Sequence, residues 1–184
     1  NCSESLQVLG GSGFTKEYPL EQYLRDVRIT LIYEGTNGIQ ALDLVGRKLT
    51  MHQGRLLQNL QKEIQEFINE NKDNDDLKDF MKPLENAFQE VMASTMWLMQ
   101  NGLKDPENAL ASASDYLNLL ALTSMTYMWA RMAKFSIGKN EPIHKNKIKT
   151  GRYFVEKVIP ELLMYSKKVQ AGKSSMMDME VAEF

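Results

Sequence analysis

Apolar positions recur at helical spacing along most of the chain. Leu56, Leu57, Leu60, Ile64, Phe67 and Ile68 form one stripe at the i, i+3, i+4 period of a buried helix face. The polar, acidic residues 69–76 end that helix, and Leu77, Phe80, Met81, Leu84, Phe88, Val91, Thr95, Leu98 and Met99 resume the period. Pro83 lies inside this second stripe and predicts a helix start or a bend, since its ring removes a backbone donor. Gly102 suits a helix C-terminus. Asp105-Pro106 then gives an N-cap acceptor followed by proline at the first helical position. Leu110, Ala113, Leu117, Leu120, Ala121, Ser124 and Met128 predict the inward face of a helix of more than about 25 residues, closed by Gly138. Ile148, Val155, Val158, Leu162, Tyr165 and Val169 predict a last helix over 145–170, kinked or divided at Pro160.

Strand signals are weak. The run Val-Arg-Ile-Thr-Leu-Ile-Tyr at 27–33 is rich in β-branched residues. No second strand accompanies it, and a lone strand leaves its backbone unpaired. It reads as a helix end followed by an extended connection, so the fold class is all-α. Six of the 11 glycines lie in the first 50 residues, which makes that region turn-rich and the rest helix-rich. The expected division is a first domain over 1–51 and an antiparallel helical bundle over 52–184. The Met-rich, acidic tail from Gly172 is expected to fray or to dock late.

Composition narrows the function classes. The 184 residues are 43% hydrophobic and 25% charged, enough to bury a core. A net charge of -2 gives no general attraction to nucleic acid or to an anionic membrane. One cysteine excludes an internal disulfide framework, and His52 and His144 stand outside any ligand-spaced motif, so no metal site is expected. No run approaches the roughly 18–20 apolar residues of a membrane span. The 12 methionines read as packing residues, Trp97 and Trp129 as core or interface, and Lys139, Lys145, Lys147, Lys149 and Arg152 as a solvated basic stretch or a site for an acidic ligand.

Two stretches invite a chemical reading. Gly10-Gly11-Ser12-Gly13 lacks the Lys and the third Gly of phosphate-binding loops, and reads as a helix end and turn before a ligand loop. Glu34-Gly35-Thr36-Asn37-Gly38-Ile39-Gln40 places a carboxylate after an apolar run, beside a glycine that admits close approach. Asn37 and Gln40 have the spacing of a capping box. The helix start beside Glu34 reads either as an anion site or as a loop carboxylate where carboxylates are favoured anyway.

Several separated motifs, in order, resemble the C-terminal part of an acyl-CoA dehydrogenase. They are Cys2-Ser3-Glu4-Ser5-Leu6-Gln7-Val8-Leu9-Gly10-Gly11, Gly13-Phe14, Glu17-Tyr18-Pro19, Arg25-Asp26, Ile32-Tyr33-Glu34-Gly35-Thr36-Asn37 and Ile39-Gln40. The resemblance implies an FAD flavoprotein that takes two hydrogens from the α and β carbons of an acyl-CoA thioester. It implies that Glu34 is the α-proton base, that Tyr33 and Gly35 lie against substrate, and that the Glu34 backbone N–H faces the developing enolate oxygen. It places Gln7, Gly10 and Gly11 at an FAD bound mainly to a neighbouring subunit, and Thr36, Asn37 and Gly38 beside the flavin cofactor. The pair Asn37-Gly38 departs from members with a bulkier pair there. The helical remainder resembles the extra C-terminal domain of a bacterial-type branch. This implies a cytoplasmic homo-oligomer that passes electrons to an electron-transfer flavoprotein. The family's N-terminal helices and middle β-domain are not in this sequence, so a fragment inactive alone is expected. The alternative is a helical interaction and assembly module without catalysis.

Overall fold

The computed structural model describes residues 2–183, and among these there are helices and turns but no strand. The fold is all-α. The chain divides into two compact units, 1–40 and 41–184.

In the first unit, α1 (Cys2–Val8) packs on α2 (Leu20–Arg28), with a 3-10 turn over Gly10–Phe14 between them. The 27–33 run is not extended after Arg28. It closes into a 3-10 turn over Ile29–Leu31 and a further turn. The reason is local hydrogen bonding. Thr30 Oγ1 donates to the Val27 carbonyl at 2.7 Å, and the N–H groups of Ile32 and Tyr33 both reach the Ile29 carbonyl, at 2.9 and 3.0 Å. These bonds satisfy backbone groups that a lone strand would leave unpaired. A seven-residue helix, α3 (Asn37–Asp43), begins in this unit.

In the second unit, α3 continues as a π turn over Leu44–Lys48. The Asp43 carboxylate accepts from Arg47 Nε at 2.6 Å and Nη2 at 2.9 Å, with Lys48 Nζ at 3.2 Å. The Arg47 guanidinium above all holds Asp43 down to about 2. His52, Gln53 and Gly54 then adopt left-handed φ values of 50°, 62° and 77°, turning the chain into α4 (Arg55–Asn71). The bundle follows as α5 (Lys78–Lys104), α6 (Pro106–Ser136), α7 (Pro142–Tyr153) and α8 (Glu161–Ala171).

The 31-residue α6 is the spine, in contact with α5, α7 and α8. Its Asp105 cap accepts from the Glu107 N–H at 3.1 Å, with Pro106 first in the helix, and Gly138 (φ 79°) follows its end, as the sequence predicts. The inward face differs from the apolar reading. Leu110, Ala121 and Met128 are exposed, while Ser112, Ala113, Tyr116, Leu119, Thr123, Thr126, Tyr127, Ala130 and Ala133 are buried. Alanine, serine and threonine share this face with Tyr116, Leu119 and Tyr127, and they leave room for the three helices in contact with it.

The buried hydroxyls are paired. Ser112 donates to the Val169 carbonyl (2.8 Å) and Thr123 to those of Leu119 and Ala87 (3.0 and 3.3 Å). Thr95 spends its proton on the Val91 carbonyl, so Tyr116 donates to Thr95 at 2.7 Å. Burial raises the Tyr116 phenol, and the Thr95 contact offsets part of this.

Four other expectations are corrected or refined. The helix α5 runs through Pro83 and starts five residues before it, at Lys78. Gly102 lies inside α5, where a Cβ would stand 3.0 Å from the Ala109 Cβ, so it serves close helix approach. Ahead of Pro160 the helix loosens into a π turn over Phe154–Val158, with Ile159 N–H on the Phe154 carbonyl at 3.1 Å. The tail start is docked. Lys173 N–H donates to Asn108 Oδ1 at 3.2 Å, and its ammonium meets Asp105 Oδ2 at 2.6 Å and the Glu107 carboxylate.

Two outcomes follow from this packing. A Cβ on buried Gly151 would lie 2.7 Å from Phe80 Cε1 and 3.1 Å from the Trp129 ring. Gly151→Ala gains about 1 kcal/mol of helix propensity but overpacks rigid rings at a typical cost of about 1–3 kcal/mol. Chemical denaturation should show net destabilisation; a stabilised variant would contradict the packing. The second outcome concerns the tail clasp. Lys173 holds the Asp105 carboxyl below its ordinary range, helped by the Glu107 N–H, and Asp105 in turn raises Lys173. A depressed carboxyl stabilises above its unfolded value of about 3.9 and loses that contribution as pH falls. The drop in Tm between pH 6 and pH 3 should therefore shrink in Lys173→Met; an equal drop would show that the clasp adds nothing.

Candidate functional site

The turn between α2 and α3 carries the residues with the most specific chemistry. Glu34 sits at φ 56°, a left-handed conformation uncommon for a side-chain-bearing residue, and Gly35 follows at φ 93°. Gln40 reaches back across this turn, and its Nε2 donates to the Glu34 carbonyl at 2.6 Å. A Cβ on Gly35 would stand 2.8 Å from that same Nε2. Glycine at 35 thus meets two demands, a positive φ and room for the Gln40 amide.

The helix cap lies one residue earlier than the capping-box spacing suggests. Thr36 Oγ1 accepts from the Ile39 N–H at 3.3 Å, and the Thr36 carbonyl from the Gln40 N–H at 3.0 Å. Asn37 is therefore the first helical residue. Gln40 is not its capping partner, because its amide is committed to Glu34. The role of Gln40 is the feature that sequence reasoning missed. Its signal was a long amide side chain one turn into the helix after a Glu-Gly pair.

All residues from 25 to 40 are exposed, Glu34 and Tyr33 among them. Thr36, Asn37 and Gly38 are on the same turn, in sequence with Glu34 and Gly35. Gln7, Gly10 and Gly11 lie at the end of α1 and in the 3-10 turn that follows, also exposed. No hydrogen bond joins Gln7, Gly10 or Gly11 to residues 33–38 among the described residues. Around Gly10 and Gly11 a Cβ would meet nothing within 4 Å, whereas Gly13 is buried against the Leu6 backbone. Gly13 is thus a packing residue of the turn, and the other two present open backbone. Among the described residues no group of His, Cys, Asp and Glu side chains is arranged to hold a metal ion, and no helix is long and apolar enough to cross a membrane.

Known protein families match the chain in two stretches. Residues 1–50 match the model for the acyl-CoA dehydrogenase C-terminal domain, and residues 60–180 match the acetyl-CoA dehydrogenase C-terminal-like model. The chain is 29% identical to a broad-specificity linear acyl-CoA dehydrogenase of Mycobacterium tuberculosis, across 99% of this chain and 32% of that protein. It is 28% identical to a butyryl-CoA dehydrogenase of Syntrophomonas wolfei, across 96% of this chain and 30% of that one. Over a shorter stretch, 25% of this chain and 11% of the relative, it is 52% identical to the mitochondrial short-chain specific acyl-CoA dehydrogenase of Rattus norvegicus. The chain spans about a third of the length of the first two relatives. With both C-terminal models matched in order and the all-α fold in place, the chain belongs to the acyl-CoA dehydrogenase family.

Proposed function

We propose that this chain supplies the C-terminal helical part, and the α-proton base, of an FAD-dependent acyl-CoA dehydrogenase. Residues 1–51 belong to its C-terminal helical domain and 52–184 form an additional helical bundle. The reading is supported above all by the pinned Glu34–Gly35 turn. Taking a proton α to a thioester carbonyl needs a base within about 2.6–3.2 Å of it and donors aimed at the developing oxyanion. Glu34 offers both from one residue, its carboxylate for the proton and its backbone N–H for the enolate oxygen. Gly35 leaves room for the thioester, and Tyr33 borders it.

The reaction breaks both C–H bonds. The α proton passes to the Glu34 carboxylate, the β hydrogen leaves with its electron pair, and a C=C bond forms between the two carbons. FAD, when bound, supplies the acceptor for that hydride. Gln7, Gly10, Gly11, Thr36, Asn37 and Gly38 fit the group in chemical type. Their side chains are uncharged, the segments are exposed, and the glycine backbones at 10 and 11 are open. These residues would hold parts of FAD, with the rest of its contacts supplied from outside this chain. The same reading assigns acyl-CoA as substrate, an electron-transfer flavoprotein as electron acceptor, a homo-oligomeric assembly and a cytoplasmic location.

One observation favours the second reading, an assembly module without catalysis. Met96, Met99 and Leu103 are exposed along α5 at spacings of three and four residues, a stripe suited to a partner helix.

Two measurements test the catalytic reading. Glu34→Gln in the flavin-loaded dehydrogenase should lower acyl-CoA-dependent flavin reduction by about 10²–10⁴-fold. Unchanged reduction would remove Glu34 from the role of base. Titration of FAD into the 184-residue chain should give no tight stoichiometric yellow complex; a tight one would refute the shared flavin site.

A further inference from the structure

The basic stretch beyond α6 has no part in the dehydrogenation chemistry, yet it borders a cleft between the end of α6 and the start of α7. The cleft has a volume of about 400 Å³, within the roughly 300–1,000 Å³ of small-molecule pockets. Met128, Met132, Phe135 and Ile143 make its apolar walls, and Arg131, His144 and Lys147 its polar rim. No acidic side chain lines it. Three of the apolar residues remain largely uncovered, Met128 at 48%, Ile143 at 64% and Phe135 at 67% exposure.

The rim is partly organised. The hydroxyl of buried Ser136 lies 3.2 Å from His144 Nδ1 and holds the imidazole at the cleft edge. Phe135 stacks obliquely with His144, ring centroids 5.6 Å apart, and Lys139 Nζ lies 3.0 Å from the Phe135 centroid. Lys147 Nζ lies over Trp129 at 5.5 Å. Neither Lys139 nor Lys147 has a carboxylate within 4.0 Å among the described residues. Of the neighbouring cations, Arg152 is partnered by Asp79 at 2.9 Å and Arg131 by Glu63 at 3.6 Å, whereas Lys145 and Lys149 on the exposed side of α7 have no carboxylate within 4.0 Å among the described residues.

We propose that this cleft binds a single-chain amphiphilic anion, with a carboxylate or phosphate head at Lys147 and His144 and a short apolar tail along Met128, Met132, Phe135 and Ile143. The walls supply apolar area that the tail removes from water, and the rim supplies charge-assisted hydrogen bonds to the head. The site is independent of the role assigned to Glu34.

The test is an NMR titration of the full chain with decanoate and, separately, decyl phosphate, both below their micelle concentrations. Saturable shifts should centre on Ser136 and residues 143–147, and the stronger of the two ligands identifies the head. Lys147→Glu should weaken binding about tenfold or more, since hydrogen bonds to charged groups are worth about 1.5–3 kcal/mol. Phe135→Ala, at an exposed position, should weaken it severalfold. Lys62→Glu, on the outer face of α4, should leave it unchanged, and decanol and inorganic phosphate should each bind far more weakly. Equal affinity for Lys147→Glu and the unmodified chain, or equal binding of decanol, would overturn the proposal. So would anionic vesicles or an acidic peptide producing these shifts where decanoate and decyl phosphate do not.

Discussion

The bundle depends on how α6 is buried. A 31-residue helix in contact with α5, α7 and α8 cannot bring them close with large side chains on every face. It sets alanine, serine and threonine among larger residues such as Tyr116 and Leu119, and each buried hydroxyl then needs an acceptor. Ser112 finds the Val169 carbonyl near the end of α8, Thr123 finds the Ala87 carbonyl of α5, and Tyr116 finds Thr95. A neutral hydrogen bond adds only about 1 kcal/mol, whereas a buried polar group left unpaired costs about 1–3 kcal/mol. The asymmetry favours one register: sliding α6 along α5 would strand the Tyr116 hydroxyl and sliding it along α8 that of Ser112, whereas Thr123 and Thr126 keep acceptors in their own helix. No buried side-chain nitrogen or oxygen lacks a partner among the described residues.

The same feature explains what the sequence could and could not reveal. Helix ends were legible, because they are written in local chemistry. Asp105-Pro106 and Gly138 frame α6 as expected, and Pro160 is preceded by a π turn. The inward face of α6 was not legible. A search for the apolar stripe selects Leu110, Ala121 and Met128, which face outward, because the true inner face intersperses small and hydroxylated residues among Tyr116, Leu119 and Tyr127. Hydrophobic periodicity assumes that burial and apolarity coincide, and close helix packing separates them. Gly102 was misread for a related reason. Its role depends on Ala109 of the next helix, which no local rule contains.

At the candidate site the residue types and their order were legible, and the geometry was not. The motif from Tyr33 to Gly38 carries the family resemblance, and the family matches agree with it. The left-handed Glu34, the cap at Thr36 and the reach of Gln40 to the Glu34 carbonyl are conformational facts. They arise from competition among neighbouring donors for a few carbonyls, which a spacing rule treats as settled.

That competition also shows what holds the turn. A left-handed residue other than glycine costs on the order of 1–3 kcal/mol and persists only when its surroundings impose it. Residues 25–40 are exposed, so burial is not what imposes it. The restraints visible in this segment are hydrogen bonds: Tyr33 to the Ile29 carbonyl on one side, the Thr36 cap on the other, and Gln40 across the middle. Each is worth about 1 kcal/mol, so together they are of the size needed to offset the strain. The conformation of Glu34 is therefore a property of the dozen residues from 29 to 40. A backbone set in this way fixes the directions of the Glu34 N–H and of its Cα–Cβ bond, while the exposed carboxylate beyond them keeps its rotamer freedom.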